Sequence, residues 1–385
     1  MRNTVHRPWM LIFSHGYPPL GLYGVARHVE RLAHFLSSKG IGVVVITGGG
    51  DSLPNFERIA ERWLVIRLKP PVLPMKKRDL WRLIWYTLIS PLIALKLIRK
   101  LGASLIHGNG SYYGGWQASL ASFLTRRPFT VIIHGYGIDY YRHHKRPPFA
   151  LLFLKRAKAI IVQKETAIPV LERWGISRER VFYVEEGAID IDWFKPPPPG
   201  WRKENAERQV AFVGRLTRFK DPLLLIEAAP YILEGYPEAR FVFAGDGYLK
   251  SRIEHRAREL GIDDKVVLLG EVMDVRPIYW SSDVFVATSP YNNFSDLAML
   301  EAMACGMPVV ATNSGETHKT IKHGWNGLLV RPGDPIDLAE KVLMLLKDLE
   351  LAKRLGVNAR KTVIERYSIE VMGEQMLKVF RKALK

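Results

Sequence analysis

Short apolar runs alternate with longer amphipathic stretches along nearly the whole chain. In the second half, residues 209–214, 240–244, 265–269, 283–288, 308–312 and 326–330 read as strands. In the first half the matching runs are 9–13, 42–47, 64–68, 104–107, 129–133, 159–163 and 181–184. Apolar residues fill successive positions in these runs, the mark of strands covered on both faces. Their alternation with helices predicts parallel sheets. Helix ends are punctuated clearly. Asp221-Pro222 is a cap followed by proline and opens a helix to about Leu233, and Asp334-Pro335 repeats the signal. Glycines 40, 261 and 306 close the helices that start near Val25, Tyr248 and Leu297. The pattern predicts an α/β fold: two Rossmann-like, doubly wound parallel-sheet domains facing a cleft. The expected boundaries are 1–195 and 205–365, with a C-terminal helix at 366–385 packing back on the first domain. Residues 195–200, KPPPPG, are the expected linker. Ligands of such sheets sit at the carboxyl ends of strands, so the loops after strands are where chemistry is sought.

Composition narrows the picture. Hydrophobic content of 48% and charged content of 24% describe a folded protein of 385 residues, enough for two cores. The net charge of +18 is uneven: residues 1–200 carry 29 Lys and Arg against 13 Asp and Glu, whereas residues 201–385 carry 27 against 25. The basic half calls for an anionic partner: nucleic acid, an acidic membrane surface or a phosphorylated substrate. The single cysteine, Cys305, excludes an intrachain disulfide and a cysteine metal cluster, and suits a reducing compartment. The first apolar run is too short for a signal-peptide core. The expected localisation is cytoplasmic, with a peripheral position at the inner face of the cell membrane.

Two clusters could carry chemistry. Glu301 lies among Leu300, Ala302, Met303 and Ala304, where a carboxylate has little polar company. Sugar hydroxyls would satisfy it; a solvent-facing carboxylate near a helix N-terminus is the plainer alternative. Arg215 follows the first strand of the second half, and Lys220 stands just before a helix. Two cations there could hold a diphosphate and the charge that develops as it leaves, or be ordinary surface basicity. Asp190-Ile191-Asp192 is an Asp-x-Asp, a metal-binding pattern, but it falls beside the expected linker. Gly245-Asp246-Gly247 suggests a dinucleotide loop, but Lys250 stands where a third glycine belongs.

Together these stretches resemble the retaining GT-B glycosyltransferases of family 4, also called glycosyl transferases group 1. The matching segments are VGRLTRFKDPLLLIEAA, FVFAGDG, LEAMACGMPVVAT and HGWNGLLVRPGDP, in the family's order. The resemblance implies that Arg215 and Lys220 bind the donor diphosphate and that Glu301 binds the nucleotide ribose. It implies a donor set completed by Gly24, Val272, Asn293, Ser295, Asp296 and Leu297, and a sugar-facing His134. Gly24 closes the loop that resembles the family's glycine loop. The family's first glutamate, eight residues before the second, is here Asn293; this removes a negative charge near the reacting carbon and implies an altered donor choice or rate.

The implied function is transfer of a hexose-type residue, with retention, from a UDP-, GDP- or ADP-sugar to a lipid-linked or saccharide acceptor. No cofactor and no catalytic metal are expected, since cationic side chains serve the diphosphate, and no nucleic-acid motif is present. A GT-B sugar-nucleotide epimerase and a basic nucleic-acid-binding protein are the alternatives. Lys76, Lys77, Arg78, Trp81 and Arg82 precede, and Trp85 lies within, an uncharged stretch, 83–95, too short to span a bilayer. They suit a helix lying on an anionic membrane, or a buried helix with solvated ends.

Overall fold

The computed structural model describes residues 8–19, 24–49, 53–69, 78–110, 114–134, 152–185, 187–201, 203, 207–290 and 296–385. Of residues 24, 25, 78–84 and 86 only the backbone is described. The chain forms two compact units, Met1–Ala188 with Ile369–Lys385, and Ile189–Ser368.

The first unit carries β1 (Trp9–Ser14), β2 (Gly42–Gly48), β3 (Phe56–Ala60), β4 (Trp63–Leu68), β5 (Ala103–Asn109), β6 (Phe129–Ile133), β7 (Ala159–Val162) and β8 (Val181–Tyr183). They form one sheet in the order β3-β4-β2-β1-β5-β6-β7-β8. Every pairing is parallel except that of β3 with β4. Strand order reverses between β1 and β5, so the ligand-accepting edge of this unit is centred on their carboxyl ends. The helices are α1 (Gly24–Ser38), α2 (Arg78–Leu101), α3 (Gly115–Thr125) and α4 (Ile168–Arg173). Period-two alternation divides the strands between two apolar layers. Leu11 and Phe13 join Ala94, Ile98, Ala118 and Ala121 on the α2 and α3 side. Met10 and Ile12 join Val29, Leu32 and Leu36 of α1 on the other.

The second unit carries β9 (Arg208–Val213), β10 (Ala239–Ala244), β11 (Val266–Gly270), β12 (Val284–Ala287), β13 (Val309–Thr312) and β14 (Leu328–Val330). The order β11-β10-β9-β12-β13-β14 is parallel throughout and is that of a dinucleotide-binding sheet, reversing between β9 and β12. Its helices are α5 (Leu223–Gly235), α6 (Lys250–Glu259), α7 (Arg276–Ser281), α8 (Leu297–Ala304), α9 (Thr317–Thr320), α10 (Pro335–Lys347) and α11 (Leu349–Thr362). α12 (Ile369–Ala383) then belongs to the first unit, where Met372, Met376 and Phe380 join the layer of α1. The two chain crossings run side by side, with the Ile189 N–H donating to the Tyr367 carbonyl at 2.8 Å.

Three local readings change. β3 was not foreseen: Phe56, Arg58, Ile59 and Ala60 are exposed, so this antiparallel edge strand carries no apolar face to betray it. The proline run 195–200 lies inside the second unit, where Trp280 Nε1 donates to the Lys195 carbonyl at 2.8 Å. Regular helix α5 begins at Leu223 with Pro222 in the cap position, and Asp221 turns the chain with φ +45°. Asp334, by contrast, caps α10 by accepting from the Ile336 and Asp337 N–H groups.

Candidate functional site

In the second unit the strand reversal brings the loops after β9 and β12 together. Thr288 Oγ1 donates to the Lys220 carbonyl at 2.8 Å and Ser289 Oγ to the Phe219 carbonyl at 2.6 Å, so two hydroxyls just after β12 hold the loop that follows β9. Lys220 Nζ donates to Asp296 Oδ2 at 2.7 Å, and Asp296 Oδ1 accepts from the Ala298 N–H at 3.2 Å as the cap of α8. The ammonium is thereby fixed beside the positive end of a helix. Arg215, at the head of the same loop, is exposed.

Glycines 245 and 247 pack this edge tightly. A Cβ at Gly245 would stand 2.0 Å from the Gly214 carbonyl oxygen, and one at Gly247 would stand 2.4 Å from that of Leu216. The loops after β9 and β10 instead bond backbone to backbone, Gly214 N–H to the Ala244 carbonyl and Leu216 N–H to the Asp246 carbonyl, each at 2.9 Å. The Gly-Asp-Gly run thus shapes the seat of Arg215 rather than forming a dinucleotide loop of its own. Val272, half-buried, follows β11 on the same edge.

Glu301 lies one turn inside α8, half-buried, with the Tyr279 hydroxyl donating to Oε2 at 3.3 Å. Burial, then the Glu301 charge, raises the Tyr279 phenol well above its ordinary range and the Cys305 thiol to about 12. The carboxylate therefore rests beside a neutral phenol and a neutral thiol.

On the first unit, the carboxyl ends of β1, β5, β6 and β7 present a row of polar side chains. Ser14 Oγ donates to the Gly16 carbonyl at 2.7 Å and accepts from Asn109 Nδ2 at 3.2 Å. That fixes the Asn109 amide with Oδ1 facing His134 Nε2 at 2.8 Å, while Nδ1 meets the Gln163 amide oxygen at 2.6 Å. Burial lowers the His134 pKa to about 4, so the ring is neutral near pH 7. A neutral ring carries one N–H; with Asn109 Oδ1 fixed opposite Nε2 that proton belongs on Nε2, and Nδ1 is satisfied when the Gln163 amide is rotated to present its nitrogen. His28 of α1 packs edge-on against His134 at 5.2 Å between ring centroids, and burial holds its pKa well below the usual value. Gly24 opens α1 on this side of the unit.

The structure thus gathers Arg215, Lys220, Asp296, Leu297, Glu301 and Val272 on the carboxyl edge of one sheet, and His134 and Gly24 on that of the other. Asn293 and Ser295 lie outside the described residues, as do Lys76 and Lys77. Arg78, Trp81 and Arg82 are described only in backbone, and Trp85 is half-buried on α2. Asp190 of the Asp-x-Asp accepts from the N–H groups of Asp192 and Trp193, closing its own turn. Sequence reading missed Asn109, Gln163, Thr288 and Ser289. Each is a polar residue at or just beyond the carboxyl end of an apolar strand, and that position is the signal that could have found them.

Two Rossmann-like α/β units in one chain are the architecture of the GT-B fold. The fold matches that of an Anabaena protein solved with UDP-glucose, at a TM-score of 0.72 and 19% identity over 97% of this chain and 99% of that one. Residues 198–362 match the model of glycosyl transferases group 1, and residues 23–190 that of glycosyltransferase family 4. An uncharacterized glycosyltransferase of Methanocaldococcus jannaschii is 30% identical over 96% of both chains. An Escherichia coli UDP-Gal:alpha-D-GlcNAc-diphosphoundecaprenol alpha-1,3-galactosyltransferase is 31% identical over 73% of this chain and 76% of its own. The chain belongs to the group 1, family 4 glycosyltransferases.

Proposed function

We propose that this glycosyltransferase moves a hexose-type residue from a nucleotide sugar to a lipid-linked or saccharide acceptor, with retention and without a catalytic metal. The second unit takes the donor and the first unit the acceptor. The observation that carries the donor half is the fixed Lys220 ammonium beside the N-terminus of α8, with Arg215 at the head of the same loop. As the bond from the sugar's anomeric carbon to the diphosphate breaks, the electron pair leaves on phosphate oxygen. Lys220, Arg215 and the first N–H groups of α8 stabilise that charge. The acceptor hydroxyl forms the new bond to the same carbon and gives up its proton to the departing phosphate oxygen. Glu301 accepts from the nucleotide ribose hydroxyls. His134, neutral and held through both ring nitrogens by Asn109 and Gln163, takes the sugar-facing place and bonds a hydroxyl of the transferred sugar in exchange for one of those partners, while Asn293 contributes an amide where the family carries a carboxylate.

Retention rests on the family. The lipid-linked acceptor draws support from the galactosyltransferase relative, whose name carries a diphosphoundecaprenol acceptor. The nucleotide-sugar donor draws support from the Anabaena neighbour solved with UDP-glucose.

A thermal-shift screen against UDP-, GDP- and ADP-sugars tests the reading, because a ligand of the folded state raises its stability. One donor series is expected to raise the melting temperature, and Lys220→Ala to abolish the rise. Turnover in excess chelator is expected to equal that without it. No shift with any nucleotide sugar overturns the donor assignment.

A further inference from the structure

In a parallel sheet, the loop entering each strand lies at its amino end. The loops before β5, β6, β7 and β8, neighbours in the first unit, therefore line one edge side by side, opposite the edge that carries Asn109 and His134. Each of these loops is basic. Arg99 and Lys100 precede β5, and Arg126 and Arg127 precede β6, all exposed. Lys155, Arg156 and Lys158 precede β7 and are exposed too. Before β8, Arg180 donates to the Lys155 and Ala157 carbonyls, tying two loops together. Residues 80–164 hold thirteen Lys and Arg against one acidic residue, Asp139. No ion pair links Arg126, Arg127, Lys155, Arg156 or Lys158 to a carboxylate among the described residues.

Large apolar side chains stand among these cations. Phe123 is 60% exposed and Leu124 44% exposed at the end of α3, and Leu152 is 63% exposed just before the β7 loop. The Arg156 guanidinium lies 5.0 Å from the Phe123 ring centroid, which joins the two loops into one surface. On the outer face of α2, Leu88 and Leu92 are 60% and 56% exposed, leading toward Lys96.

We infer that this amino edge of the first unit docks on an anionic lipid bilayer. Cations with no carboxylate partner meet headgroup phosphates, while Phe123, Leu124 and Leu152 enter the headgroup boundary. A nucleic acid would satisfy the cations but leave the leucines in water, and a ring already covered by Arg156 is poorly placed to stack a base. The strands between the two edges are four to seven residues long, so His134 and Asn109 would stand roughly 15–20 Å above the headgroups. That height suits a saccharide projecting from its lipid anchor, a consequence that rests on the transferase reading above. The docking itself rests on the surface alone.

The test is flotation of the full-length protein with phosphatidylcholine vesicles, with and without phosphatidylglycerol. Wild type is expected to float only with the anionic vesicles, and less so as salt is raised. The fourfold variant Arg126→Gln, Arg127→Gln, Lys155→Gln, Arg156→Gln is expected to lose several-hundred-fold in partitioning, from about fivefold per charge. Phe123→Ser with Leu152→Ser, which changes no charge, is expected to lose at least tenfold. Unchanged denaturation midpoints and nucleotide-sugar thermal shifts in both variants separate docking from folding and from donor binding. Absence of wild-type flotation, or flotation of the fourfold variant equal to wild type, overturns the inference. So does an unaffected apolar double variant together with salt-sensitive RNA retention.

Discussion

The Lys220 ammonium and the Asp296 carboxylate are partners at 2.7 Å, and the same carboxylate caps α8. The Asp296 side chain is 6% exposed and that of Lys220 27%, so the aspartate stakes more on the pair. Removing Lys220 would leave a buried carboxylate with its cap bond but without its cation. Lys220→Ala is therefore expected to cost stability, on the order of 1–3 kcal/mol, as well as activity. The activity loss should be larger, about a hundredfold or more, if the ammonium holds a departing diphosphate. Urea midpoints beside turnover numbers check this. A turnover loss no larger than the stability loss would remove Lys220 from the chemistry.

Asp296→Asn keeps an oxygen for the Ala298 N–H and discards the charge. The cap survives while Lys220 loses its anchor and its neutralising partner. Nucleotide affinity is expected to stay level or tighten, as the local potential becomes more positive, while turnover falls by about tenfold or more because the ammonium is no longer held in place. Isothermal titration with the nucleotide and single-turnover rates separate the two. Weakened binding with unchanged turnover would reverse the assignment.

How much of this was legible in sequence differs from element to element. Strands such as 42–48 and 129–133 are buried on both faces, so their unbroken apolar runs announced them. β3 had no buried face to write into the pattern, and its place is held by ladder bonds and the Arg67–Glu57 pair. The positions of Arg215, Lys220 and Glu301 followed from strand ends and helix starts. The Lys220–Asp296 bond did not, because it joins residues 76 apart through a strand order that the sequence does not spell out. The His134 setting was hidden for the same reason: Ser14, Asn109 and Gln163 meet it only once β1, β5, β6 and β7 lie in register.

Gly245→Ala probes the seat of Arg215. Gly245 has φ +139°, outside the range other residues favour, and an added methyl would strike the Gly214 carbonyl at 2.0 Å. Backbone must move on both loops, because the obstruction is not a flexible side chain. A loss of roughly 2–4 kcal/mol is expected from strain and displaced loop contacts together. Gly261→Ala is the comparison: its φ is +66°, but nothing lies within 4 Å of the added atom, so only the smaller conformational cost applies. Equal urea midpoints for the two variants would contradict the close-packing account.

Acid should weaken the first unit through its buried histidines. Burial lowers the His134 pKa to about 4 and that of His107 to about 3, and it holds His28 well below its usual value. An unfolded chain takes up these protons near pH 6.5, whereas the folded chain resists them. The unfolded state therefore binds more protons below that point, and stability falls with pH. The contribution is fully present above pH 6.5 and is lost progressively as pH drops toward 4. His107 is the cleanest probe: its Nδ1 bonds Thr130 Oγ1 at 2.8 Å and its ring packs edge-on against Phe380 of α12 at 5.2 Å between centroids, away from the His134 amide partners. His107→Gln retains a partner for the Thr130 hydroxyl and cannot titrate. It is expected to be less stable than wild type at pH 7.5, with the gap narrowing as pH falls toward 4. Urea midpoints across that range measure it, and a gap that stays constant with pH would mean that the His107 proton plays no part in acid sensitivity.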